Sequence, residues 1–174
     1  TIQNGRLYGS LIDVLNRGAP VALLAIGMTL VIATKGIDLS VGAVIAICGA
    51  VAASSIVSGN SLAWTLVLTL LIGLACGVWN GFLVAILNIQ PIIATLVLMV
   101  AGRGIAQLIT EGVIMTFNDD GLIFFGSGSF AFMPMPVVIW LVVGVLVTLL
   151  VRRTALGMLV EATGINRRAS TLSG

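Results

Sequence analysis

Five apolar stretches run through the chain, at 18–34, 41–57, 62–87, 91–110 and 134–151, each parted from the next by a segment that carries polar residues. A helix rising 1.5 Å per residue needs roughly 20 apolar residues to cross about 30 Å of hydrocarbon. The third stretch is long enough to tilt, and the first two are short. None alternates apolar with polar residues as a barrel strand must, and lipid offers no partner to bare backbone amides. The pattern therefore predicts an all-α, polytopic transmembrane helical bundle with five spanning helices.

Composition strengthens that reading. The chain is 59% hydrophobic and only 8% charged, with a mean hydropathy of +1.23, whereas soluble domains carry about 25% charged residues. A water-soluble enzyme is excluded, and no catalytic set is found. The net charge of +2, with no basic run interleaved with aromatics, gives no basis for nucleic-acid binding. Cys48 and Cys76 lie inside apolar stretches and read as small core hydrophobes. Histidine is absent, so no metal site is expected.

Charge also predicts orientation. If the first helix runs from outside to inside, the inner side holds Lys35, Arg152, Arg153, Arg167 and Arg168, and the outer side only Arg6 and Arg17. Glu111, Asp119 and Asp120 then fall in an outer loop at 111–133. Residues 34–40 and 152–174 face the cytoplasm in this arrangement, and 1–17 lies outside. A helix is then expected to precede residue 1, and the chain reads as a fragment.

Packing and polar positions refine the picture. Gly73, Gly77 and Gly81 recur every fourth residue, a spacing that lets two membrane helices approach closely, so their face is expected to be buried against protein. Ala46 and Ala50 are a weaker version of the same device. Arg103 sits within "LMVAGRGIAQLIT", where a central arginine costs roughly 2.5 to 3.5 kcal/mol, and Gly102 and Gly104 flank it as if to admit close backbone approach. It is expected to face the bundle interior beyond the midplane, either as an interfacial anchor or as part of a passage. Gln107 lies one turn on and shares its face. Asn80 either lines a passage or bonds between helices.

The segment "TKGIDLSVG" concentrates glycine with charge between two apolar runs. Gly36 is expected to break the first helix, and Asp38 or Ser40 to cap the next through its unpaired amides. Paired short spans around a glycine break are also a pointer to transport sites, and the pattern alone leaves both readings open.

The segments "GMTLVIATKGIDLSVGAVIAICGA", "VWNGFLVAILNIQPIIATLVLMVAGRG" and "TALGMLVEATGINRRAS" resemble the permease subunits of bacterial ABC importers for monosaccharides of the ribose, xylose, arabinose and galactose class. The resemblance covers essentially the whole chain. It implies part of a ten-helix permease, the second to sixth spans, in the inner membrane. It further implies import of a monosaccharide, galactofuranose or ribose-like, delivered by a periplasmic sugar-binding protein to a passage formed with a second permease subunit, the same chain or a different one.

In such permeases a short helix after the sixth span grips a cytoplasmic ATP-binding subunit. The matching positions here are Glu161, Gly164, Asn166, Arg167 and Arg168, in a coupling segment at 152–174. The chain has no GxxxxGK[ST] loop of its own, so ATP is held by that partner and no cofactor by the permease. Asp38, Ser40, Asn80, Arg103 and Gln107 are the candidates for the passage. Lys35 is a departure, since the family usually has a small residue there; an ammonium at that position favours a place near the cytoplasmic surface, and membrane lipid is the remaining contact. The rival readings are an ion-coupled secondary transporter, which needs buried acids near the span centres, and an inactive truncated fragment.

Overall fold

The computed structural model describes residues 2–3, 6–7, 10–130, 132–166 and 170. Among them, seven helices and two small hairpins follow in order: β1 (Ile2–Gln3), β2 (Arg6–Leu7), α1 (Ser10–Ala33), α2 (Val41–Val57), α3 (Leu62–Ala85), α4 (Pro91–Ile109), α5 (Asp120–Ser127), β3 (Ser129–Phe130), β4 (Met133–Pro134), α6 (Met135–Arg153) and α7 (Ala155–Ile165). Four helices, Leu11–Ala33, α3, α4 and α6, are long and apolar enough to cross a membrane, and α2 is a shorter apolar helix of 17 residues. The chain is an all-α polytopic bundle. It divides into two compact units, Ile37–Asp119, and Thr1–Gly36 with Asp120–Gly174.

In the unit Ile37–Asp119, α2 packs against both α3 and α4. Its core joins Ile47, Ala50 and Val51 of α2 to Ala106 of α4, with Leu68, Ile72 and Cys76 of α3 packed alongside. The tightest approach is at Gly102 of α4, where an added Cβ would come within 2.9 Å of Ala43 Cβ and 3.1 Å of Ile47 Cδ1. Gly104, two residues on, has nothing within 4 Å. Dispersion between closely spaced backbones holds such pairs where lipid removes the hydrophobic drive.

Three polar contacts fasten α2 to α3. Asn80 Nδ2 donates to Ser40 Oγ at 2.9 Å, Cys48 Sγ lies 3.7 Å from Thr69 O, and the Ser55 and Thr65 hydroxyls are 2.7 Å apart. Ser55 and Thr65 are both buried. A hydroxyl out of water must find a partner, and here each supplies the other's.

The glycine row of α3 behaves differently from expectation. A Cβ added at Gly73 would lie 3.5 Å from Cys48 Sγ, while at Gly77 and Gly81, both exposed, it would meet no described residue of another helix within 4 Å. Spacing makes a helix face smooth, but within this chain only the first glycine is covered.

In the other unit, α1 starts at Ser10 and runs on through Pro20, upstream of the apolar stretch that begins at 18. A proline inside a membrane helix frees one carbonyl, which neighbouring groups can satisfy. α1 packs along α6, with Ile26 Cδ1 3.5 Å from where a Cβ on Gly144 would lie. The 111–133 segment contains α5, the strand β3 and Met133 of its antiparallel partner β4.

Extended Thr154, φ −124° and ψ 162°, ends α6 and starts α7. The turn is so tight that a Cβ at Gly157 would strike Val151 O. α7 then reaches the end of α1, where Gly164 is buried and a Cβ on it would strike Ala33 O.

Candidate functional site

α1 closes with a Schellman motif: Gly36 N donates to Val31 O at 3.0 Å and Lys35 N to Ile32 O at 2.9 Å. The residue in the left-handed conformation is Lys35, φ +58°. This corrects the expectation that Gly36 breaks the helix. The turn places its positive φ one residue earlier, at a position that usually takes glycine. The same closure recurs at Gly59, φ +79°, and at Glu111, φ +52°.

The next turn also departs from a simple cap. Ser40 is the N-cap of α2, but its side chain makes no capping bond. Instead Asp38 Oδ1 accepts from Ser40 N at 2.8 Å and from Ser40 Oγ at 2.6 Å, a short charge-assisted bond. Ser40 Oγ in turn accepts from Asn80 Nδ2, so Asp38, Ser40 and Asn80 form one chain of hydrogen bonds. Ser40 is 1% and Asn80 8% exposed, and Asn80 Oδ1 has no partner among the described residues. Thr95, which the sequence did not single out, holds the same loop from α4, its Oγ1 lying 2.8 Å from Pro91 O and 3.4 Å from Ile37 O.

Arg103 and Gln107 come together elsewhere, at the wall of a cleft of about 470 Å³. Ala46, Gly49 and Ala53 of α2 line it with Thr110 and the segment after α4. Small side chains on α2 leave this space open. Arg103 is exposed and makes no bond to another described residue. An adjoining cleft of about 750 Å³ takes in Gln107 and Glu111. Arg103 and Gln107, four residues apart on α4, share one helix face, while Glu111 follows past the end of the helix in the left-handed turn and meets Gln107 at the second cleft. Glu111 was missed because it stands just past the apolar run.

On α7, Glu161 is exposed and Asn166 is the C-cap, its N–H donating to Ala162 O. Gly164 is buried against α1, where only a bare Cα fits beneath Ala33 O. Arg167 and Arg168 lie outside the described residues. No group of three His, Cys, Asp or Glu placed to hold a metal is found among the described residues.

These features describe a membrane helical bundle with a mostly apolar cleft that carries Arg103, Gln107 and Thr110 on its wall, and comparison with known proteins gives its class. The chain belongs to the family of branched-chain amino acid transport system / permease components, which it matches over residues 10–174. It is a multi-pass inner-membrane protein of a transport family, not of an enzyme family.

Within that family it is 62% identical over 173 residues to the galactofuranose transporter permease protein YtfT of Escherichia coli strain K12, covering 99% of this chain and 51% of that protein. It is 43% identical over 174 residues to the fructose import permease protein FruF of Bifidobacterium longum strain NCC 2705, 98% of this chain and 49% of the relative. The ribose import permease protein RbsC of Escherichia coli strain K12 is 39% identical over 170 residues, 95% and 53% of the two chains. The chain spans about half the length of the curated relatives it matches. No solved structure matches it.

Proposed function

We propose that this chain is part of the permease subunit of an ATP-driven importer of a monosaccharide, galactofuranose or a related sugar. The observation that carries this is the 62% identity to a galactofuranose permease across 99% of the chain. In this reading Arg103 and Gln107 form a wall of the passage, where a guanidinium and an amide offer donors to sugar hydroxyls. Asp38, Ser40 and Asn80 hold that wall's supporting helices in register.

The glycines at 77 and 81 would meet another helix of the assembled transporter, in the same or a second permease subunit. Residues 152–174 face the cytoplasm, and Glu161, Asn166, Arg167 and Arg168 contact an ATP-binding subunit, while a periplasmic protein delivers the sugar. ATP is held by that subunit. Asp38 already accepts two bonds from Ser40, which argues against its serving as the carboxylate of an ion-coupled carrier.

Reconstitution into proteoliposomes with the ATP-binding subunit and the sugar-binding protein tests the reading. Uptake of labelled galactofuranose should require ATP on the side of the ATP-binding subunit. Uptake that follows an imposed ion gradient and ignores ATP would overturn it.

A further inference from the structure

Lys35 is the one lysine of the chain, and two features of its surroundings are unusual. Its backbone is left-handed, φ +58°, which costs an L-residue roughly 1–2 kcal/mol relative to the right-handed region. Glycine would avoid that cost while completing the same Schellman closure. Its side chain meanwhile reaches across 130 positions of sequence to the far end of α7, where Nζ lies 3.4 Å from Ile165 O.

That carbonyl is among the last of α7, where backbone acceptors lack helical partners and the helix dipole is negative. The ammonium thus sits where a cation is favoured. One residue away, Gly164 lets the α7 backbone press directly on Ala33 O. Steric contact at Gly164 and charge at Lys35 therefore join the same two helix ends.

We propose that Lys35 is a positioning residue that fastens α7 to the end of α1, so that displacement of α7 is carried into α1. The proposal rests on the reading of α7 as the segment that an ATP-binding subunit grips. It explains why a strained position keeps a lysine: the glycine that would relax the turn has nothing with which to hold α7.

The test compares Lys35→Gly and Lys35→Arg in the reconstituted transporter. Lys35→Gly should unfold at the same or a higher temperature and retain ATP hydrolysis, yet import about twofold to fivefold less sugar per ATP, the range for a cation at a helix C-terminus. Lys35→Arg keeps the cation and should restore coupling. A Lys35→Gly transporter that couples like the unmodified one, or a Lys35→Arg transporter that fails equally, overturns the proposal.

A second measurement needs no transport. A nitroxide on Glu161→Cys, with Cys48 and Cys76 replaced by alanine, should become more mobile when Lys35→Gly is added, and unchanged mobility overturns the fastening. If the unmodified protein shows no ATP-driven uptake while the nitroxide responds, the importer reading fails and the fastening stands.

Discussion

Gly102 and Gly104 offer the same substitution, Gly→Ala, at two positions of one helix with different surroundings. At Gly102 the new methyl would lie 2.9 Å from Ala43 Cβ, about 0.6 Å inside the 3.5–4.0 Å optimum for carbon pairs. Ala43 is fully buried and its Cβ has no torsion by which to move away. Ile47 Cδ1 at 3.1 Å can rotate, but Ile47 is itself buried, so α4 has to back away from α2. Overpacking of this kind costs about 1–3 kcal/mol. Against it stands the gain of alanine over glycine in a helix, at most about 1 kcal/mol.

Gly102→Ala should therefore lose roughly 0–2 kcal/mol, and Gly104→Ala, with nothing within 4 Å, should gain up to about 1 kcal/mol. Because propensity is common to both, their difference isolates the overpacking, about 1–3 kcal/mol. Reversible unfolding in mixed micelles, followed by tryptophan fluorescence, measures it. Two variants equal within about 0.5 kcal/mol, the usual scatter for surface substitutions, would refute the close α2–α4 approach.

Three further outcomes are expected. Ser55→Ala or Thr65→Val alone strands the remaining buried hydroxyl and should cost about 1–2 kcal/mol, while the double variant should cost less than the sum, as a double-mutant cycle in the same unfolding assay reads directly. Glu111→Gly relieves the left-handed backbone at φ +52° and should stabilise the protein by about 0.5–1 kcal/mol in thermal unfolding. Arg103→Gln should leave unfolding unchanged within about 0.5 kcal/mol, since the side chain is exposed, but should lower sugar uptake about tenfold or more by removing a charged donor.

The spanning helices were legible because an uninterrupted apolar run has few alternatives in lipid. What the runs could not disclose was who meets whom. The glycine row at 73, 77 and 81 is evident from spacing, yet the tight crossing falls at Gly102, which the sequence marks only as a neighbour of Arg103. Spacing describes one helix, and closeness is a property of two. Gly36 drew attention as the breaker, whereas the turn puts its left-handed residue at Lys35 and leaves the glycine a normal place in the closure. Ser40 and Asn80 could each be named as polar positions worth explaining, but their bond spans forty residues and depends on the register of α2 against α3. Thr95 gave no signal, as a threonine in the first turns of a helix usually bonds its own backbone, and this one does so as well as holding Ile37.

The three crossings between α2 and α3 have a mechanical meaning. A rod pinned to its neighbour at the bottom, middle and top can neither slide nor swivel without tearing every pin. The α2–α4 contact is held in another way, by close apolar packing at Gly102 and by Thr95, whose Oγ1 reaches Ile37 O in the loop before α2. The two joints therefore fail differently: α2–α3 by losing a polar partner, and α2–α4 by a change of side-chain size at Gly102.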